Sequence, residues 1–341
     1  MEERSIQALV FILICVTASI VLRTAVKENT NQTGVNSITP MGMVYGDVIK
    51  INSTYHMYYC DYSKGEIRHA FSKDGINWTD DEKNNPVLTP SKSGWDCYKV
   101  GVPCHVWYDN SKCKLYLIYS GQNSTKVKQI GLAWSIDLVS FTKSPNNPIL
   151  PALPNNRTWC QNNTEIDCVI KIGNMYYLWY NDWDFDKPKH RAVGFAYTTE
   201  EPENWSNATI IRYSKNPIYD PLRDEDVDEN ILCGSTIFYK EYYFQAWVCE
   251  KYKKLWEIRL YKCRNPEFLS EEREYLGIIY HGINGTWQER LDVLNFLTDD
   301  VHRNSFNSSK GQIWLYYSGQ NGLGWHTGRM GRLILDLEDY V

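Results

Sequence analysis

KLYLIYSGQN at Lys114–Asn123 returns near the end of the chain as QIWLYYSGQN at Gln312–Asn321. Three further segments align with these two: YHMYYCDYS from Tyr55, MYYLWYND from Met175 and EYYFQAWV from Glu241. In that alignment Tyr59, Tyr119, Tyr180, Trp247 and Tyr317 share one position, at spacings of 60, 61, 67 and 70 residues. Short runs dense in Tyr, Trp and branched apolar residues read as strands packed on both faces. A period of this length marks a repeat architecture.

A second strand follows each of these: EIRHAFS at Glu66, QIGLAWS at Gln129, AVGFAYT at Ala192, EIRLYKC at Glu257 and HTGRMGRLIL at His326. Ala70, Ala133 and Ala196 are each 63 residues apart, and a small residue there lets neighbouring sheets approach closely. The first three units then carry Trp78, Phe141 and Trp205, followed by NPVL, NPIL and NPIY at Asn85, Asn147 and Asn216, where Pro suits a strand edge. A more apolar strand precedes each aromatic one: GDVIKI at Gly46, PCHVWY at Pro103, DCVIKI at Asp167 and CGSTIF at Cys233, with a fifth, less regular copy expected near RNSFN at Arg303. Four-stranded sheets repeated radially make a propeller. The expectation is an all-β fold, a five-bladed β-propeller of four-stranded antiparallel blades over residues 37–341. A β-sandwich does not repeat five times at this interval, and a β-helix coil is shorter.

The chain has 341 residues and a net charge of −5, with no dense basic stretch, which excludes a nucleic-acid partner. Ser5–Leu22 carries no charge. Residues 1–25 therefore read as an N-terminal apolar helix acting as a signal-anchor, or as a signal peptide cut after Ala18, with 26–36 as a linker. Either reading sends the rest into the secretory pathway, as a single-pass membrane protein with a lumenal propeller or as a secreted one. Ten N-x-S/T sequons, from Asn31 to Asn307, agree with that route. So do nine cysteines beyond Cys15, for which Cys160–Cys168 and Cys249–Cys263 are candidate disulfides.

HAFSKDGINW at His69–Trp78, followed by NPVL, resembles the blade signature of the five-bladed propeller glycosidases, the arabinanase, levansucrase and invertase superfamily that includes glycoside hydrolase families 43 and 32. GWDCYKVGVPCHVWYDNSKCKLYLIYSG at Gly94–Gly121 resembles their second blade. The resemblance implies a carbohydrate ligand at the mouth of the central channel and catalytic acids from the first three blades. Hydrolysis of a glycosidic bond needs two carboxyl groups, one protonating the leaving oxygen and one activating water or attacking carbon. On this pattern Asp47 in YGDVIKI is the candidate base or nucleophile, and Glu165 in TEIDCVIKI the candidate acid, with Asp167 beside it. The family's second-blade acid position holds Val102 here, and Asp96 is the nearest substitute, with Trp95 beside it as a sugar-stacking candidate. His302 and Arg303 are candidates for hydrogen bonds to hydroxyls or a carboxylate. The alternative is a lectin-like or surface glycoprotein propeller without catalysis. The acidic run at Asp226, Asp228 and Glu229 lacks EF-hand spacing. No metal or cofactor is expected: zinc motifs, nucleotide-binding glycine loops and nucleophile elbows are missing from the sequence.

Overall fold

The structure, a computed structural model, describes residues 37–153, 163–183, 191–220, 230–251, 255–299, 312–321 and 327–341. Blade one comprises β1 (Met43–Ile51), β2 (Thr54–Asp61), β3 (Glu66–Ser72) and β4 (Thr79–Asp80). Blade two comprises β5 (Lys99–Asp109), β6 (Lys114–Gln122), β7 (Lys128–Ser135) and β8 (Thr142–Lys143). Blade three holds β9 (Glu165–Ile172), β10 (Met175–Trp183), β11 (Arg191–Thr198) and β12 (Ile211–Arg212), and blade four β13 (Asn230–Tyr239), β14 (Tyr242–Lys251), β15 (Leu255–Cys263) and β16 (Glu274–His281). In these four blades each strand pairs antiparallel with the next in sequence. Each inner strand packs on those of the neighbouring blades, and the last returns to the first, so the five sheets close into a ring.

Blade five departs from expectation in two ways. Its inner strand is β17 (Arg290–Phe296), ahead of the segment near Arg303 that the sequence suggested. RLDVLNF alternates in the manner of an inner strand and pairs with β19 (Gln312–Gln320), which continues to β20 (Arg329–Asp336). Among the described residues blade five therefore has three strands of its own rather than four. Its outer edge is covered from the other end of the chain. Ile38 N–H donates to the Met330 carbonyl (3.0 Å), Gly42 N–H to the Gly328 carbonyl (2.8 Å) and Met330 N–H to Thr39 Oγ1 (2.9 Å). A two-residue strand after β17, β18 (Thr298–Asp299), pairs parallel with β1. The ring is thus closed by hydrogen bonds on both sides of the junction between its ends.

Among the described residues the core lies mainly between blades, in five apolar clusters, one per interface, with a small sixth at Val44, Tyr45 and Cys60. The repeated aromatics are its largest members: Tyr119, Tyr180, Trp247 and Tyr317 are fully buried, and Tyr59 nearly so. Burying one large apolar side chain contributes about 1.5–3 kcal/mol, which is why no blade stands alone. The Asn-Pro motifs have a defined task. Asn85, Asn147 and Asn216 each accept a backbone N–H with Oδ1 and donate Nδ2 to the carbonyl of the same residue, His69, Leu132 and Phe195 respectively. Each of those residues directly precedes Ala70, Ala133 or Ala196. The side-chain amide thus acts as one extra backbone unit on the edge of the third strand.

The candidate disulfides are corrected at their described cysteines, Cys160 lying outside the described residues. Cys168, Cys249 and Cys263 are separate thiols. On the β14–β15 hairpin Cys249 faces Glu257 while Cys263 faces Tyr243, six ladder positions away, or roughly 20 Å. A disulfide needs Cα atoms about 4.4–6.8 Å apart. The proposed apolar N-terminal helix and linker lie outside the described residues. Among the described residues no helix is long and apolar enough to cross a membrane.

Candidate active site

Five inner-strand residues occupy one register position, each facing the residue just before the shared aromatic: Asp47, His105, Cys168, Ser235 and Asn295. Their side chains tie each blade to the next. Val106 N–H donates to Asp47 Oδ2 (2.7 Å), and His105 Nε2 lies 2.9 Å from the Val169 carbonyl. Thr236 N–H donates to Cys168 Sγ (3.4 Å), Phe296 N–H to Ser235 Oγ (3.0 Å) and Val48 N–H to Asn295 Oδ1 (2.9 Å). In every case the partner is the residue after the tie position of the following blade, so the five bonds run once around the hub and close. Ser120 and Ser318 add two more ties, accepting from Ile166 N–H (3.1 Å) and Tyr45 N–H (2.9 Å).

The structure places Asp47 within this ring. Its carboxylate also accepts from Val48 N–H (2.8 Å) and lies 2.7 Å from His105 Nδ1. Asp47 is 2% exposed, with two backbone donors and an imidazole on its two oxygens.

Just upstream of the tie position, every inner strand carries a β-bulge. Bulges re-aim side chains. Above them, at the starts of β9 and β17, a second set of polar groups gathers. Glu165 and Asp292 are structural equivalents, each facing the residue after the shared aromatic, Asn181 and Ser318. Glu165, 5% exposed, forms an ion pair with Lys128. Asp167 accepts from Asn181 Nδ2 at Oδ1 (2.7 Å), while its Oδ2 has no hydrogen-bond partner among the described residues.

Burial drives the carboxyl of Asp167 well above the ordinary range, and the charges of Glu165 and Asp292 push the same way against Asn181 and Arg191. Burial also raises Asp292, to about 6; Glu165 adds to this, while Arg191, Val293 N–H (2.9 Å) and Lys128 oppose it. The Tyr45 hydroxyl is raised well above its usual value by burial first and then by Asp292, Tyr62 and Glu165. Tyr45 and Val293 have positive φ, 55° and 26°, the backbone cost of these bulges. Two buried carboxyls raised by burial, beside a third that is paired with Lys128, form the kind of group that general acid–base chemistry uses.

Asp96 and Trp95 lie elsewhere. Asp96 is fully buried, with Lys143 Nζ at 2.6 Å and the Tyr119 hydroxyl donating to it at 3.0 Å. The Trp95 indole lies against Gly121 and Gly131, where a Cβ would come within 2.4 Å of its ring, and 5.5 Å from the Tyr119 ring. These two glycines make room for it, so its ring faces blade two. His302, Arg303, Asp226, Asp228 and Glu229 fall outside the described residues. Sequence reading missed Asp292, Tyr45, Lys128, Arg191 and Asn181. The available signal was positional: once RLDVLNF is aligned on Asn295, Asp292 falls into register with Glu165.

No family model matches the sequence, and no curated protein matches it. Solved structures do. A glycoside hydrolase of family 130, from work on β-1,2-mannosidic linkages in Candida mannan, superimposes with a TM-score of 0.59 at 12% identity, covering 91% of this chain and 93% of the other. A family 117 glycoside hydrolase of the marine bacterium Zobellia galactanivorans gives 0.60 at 13%, covering 87% and 84%. The family 32 β-fructofuranosidase of Bombyx mori gives 0.58 at 16%, covering 94% and 68%. At such identities the likeness is one of fold. This chain is a five-bladed β-propeller with the architecture of the propeller glycosidases.

Proposed function

We propose that this protein binds a glycan at the mouth of its central channel and hydrolyses a glycosidic bond there, with Asp167 as general acid and Asp292 as base or nucleophile. The observation that carries the reading is the pair of buried carboxyls at the starts of two inner strands, both raised by burial, one of them with an oxygen that lacks a partner among the described residues. Asp167, whose carboxyl burial biases toward the protonated form, delivers a proton to the leaving oxygen. Asp292, ionised above about pH 6, takes the proton of an attacking water or attacks the anomeric carbon itself. The separation of the two carboxyls sets inversion or retention. Glu165, paired with Lys128, supplies negative charge that raises both neighbours. In this reading Asp47, the sequence-based candidate for the base, holds the blades together.

A second reading, a glycan-binding propeller without hydrolysis, is favoured by one observation. The acid of blade one is saturated within the tie ring, and Asp96 of blade two is buried against Lys143 and Tyr119. A screen of aryl glycosides and polysaccharides against wild type, Asp167→Asn, Asp292→Asn and Asp47→Asn separates the two. Hydrolysis lost in the first two variants supports the enzyme. Binding to a glycan in every folded variant, with no turnover in wild type, supports the lectin.

A further inference from the structure

From the acid cluster a row of alternating rings and ammonium groups runs outward over blades one and two. The Tyr62 ring lies 6.1 Å from that of Tyr45. Lys99 Nζ sits 4.0 Å above Tyr62 and 5.7 Å from the Tyr98 ring, and Lys126 Nζ lies over the other reach of Tyr98 at 2.8 Å. Tyr62 sits on the turn between β2 and β3, Lys99 opens β5, and Lys126 is on the turn between β6 and β7. These are the blade ends at which β9 and β17 also begin. Tyr98 is 44% exposed and Lys126 is exposed.

The charges of this row are unbalanced. Lys64, Lys112, Lys114, Lys128, Lys143 and Lys240 each meet a carboxylate within salt-bridge distance. Among the described residues Lys99 and Lys126 meet none. Lys99 donates one bond to the Tyr62 carbonyl (3.0 Å), leaving two of its three donors for another acceptor. Its stem rests on Gly65, where a Cβ would come within 2.6 Å of it. The turn that carries Lys126 is fixed by Asn123, whose Oδ1 accepts from Thr125 N–H (3.0 Å) and Val127 N–H (2.9 Å). Beside Tyr62 a cavity of about 400 Å³ is lined by Tyr59 and by the ion pairs Lys64–Asp61 and Arg68–Asp80.

We propose that the row Tyr62–Lys99–Tyr98–Lys126 is a binding track for an anionic polysaccharide, one bearing uronate or sulfate groups, that leads the chain toward the acid cluster. This rests on the glycan reading and adds the charge class of the ligand. Aromatic faces accept the apolar face of a sugar ring. Ammonium groups held by rings rather than carboxylates exchange a weak partner for an anionic one.

The test uses protein made without N-glycans, because the Asn123 sequon adjoins Lys126. Polygalacturonate and dextran sulfate are compared with unsubstituted dextran, at low and high salt, by affinity electrophoresis. The track predicts that a polyanion binds more tightly than dextran, that salt weakens this binding, and that Lys99→Gln with Lys126→Gln weakens it about tenfold. Lys99→Arg with Lys126→Arg keeps it. Asp292→Asn keeps polyanion binding whether or not the cluster is catalytic, so loss of hydrolysis and loss of the track are read separately. Polyanion binding unchanged in the double glutamine variant, or equal binding of dextran, overturns the track and leaves the hydrolase reading to its own assay.

Discussion

The inner strands of this propeller carry two layers of buried polar groups, the tie residues and, one to three residues upstream of them, the acids, that differ in what surrounds them. In the lower layer Asp47, His105, Cys168, Ser235 and Asn295 each hold a partner on the next blade. In the upper layer Asp167 has a single partner on one oxygen, and Asp292 is bonded to the N–H of its own neighbour. A carboxylate given donors in a low-dielectric site is part of the architecture. One buried without them holds a proton or is driven to react. Burial alone therefore does not separate structural from chemical carboxyls here; donor count does.

The largest effect that would sharpen this contrast is kinetic. Once a substrate is in hand, Asp167→Asn is expected to lower turnover by about 10²–10⁴, while the thermal midpoint stays the same or rises. Activity that survives this change removes Asp167 from the acid role. Next comes stability. Asp47→Ala leaves His105 Nδ1 and the N–H of Val106 without their acceptor, and the N–H of Val48 with Asn295 alone, at a cost of about 3–5 kcal/mol. Denaturant titration measures this, and a midpoint equal to wild type breaks the account of the tie ring.

The pH dependence comes third. The folded-state value of Asp292, about 6, lies above the ordinary ~3.9 of the unfolded chain. The folded protein thus binds the extra proton between these values, and stability from this group declines as pH rises from about 4 to about 6, by up to about 3 kcal/mol. Asp292→Asn should match wild type near pH 4 and exceed it at pH 7. An advantage that does not grow across that window shows that the carboxyl is not raised. The smallest effect is at a single neutral tie. Ser235→Ala should cost about 1 kcal/mol in a urea titration, with activity retained. A loss as large as that of Asp47→Ala would mean the ring fails as a unit.

These two layers also explain what the sequence allowed one to read. The middle strands were visible because each blade needs a large aromatic at one interface position, so Tyr59, Tyr119, Tyr180, Trp247 and Tyr317 repeat as letters. The tie ring repeats as a function. An acid, an imidazole, a thiol, a hydroxyl and an amide all serve between blades, so no common residue betrays the position, and Asp47 read as a catalytic candidate. Glu165 and Asp167 were legible because they precede an apolar run. Asp292 was not, because the fifth inner strand was sought near Arg303, beyond its actual place at Arg290–Phe296. The Cys249–Cys263 candidate failed for a related reason: nearness in sequence on a hairpin is not nearness across its ladder.

The contrast can be tested without knowing the glycan. Infrared difference spectra of wild type against Asp167→Asn at pH 7 report directly on a protonated carboxylic acid. The account predicts a protonated carboxyl band in wild type that the variant lacks, and no such band for Asp47→Asn. A spectrum at pH 7 in which Asp167 contributes only carboxylate bands would contradict it.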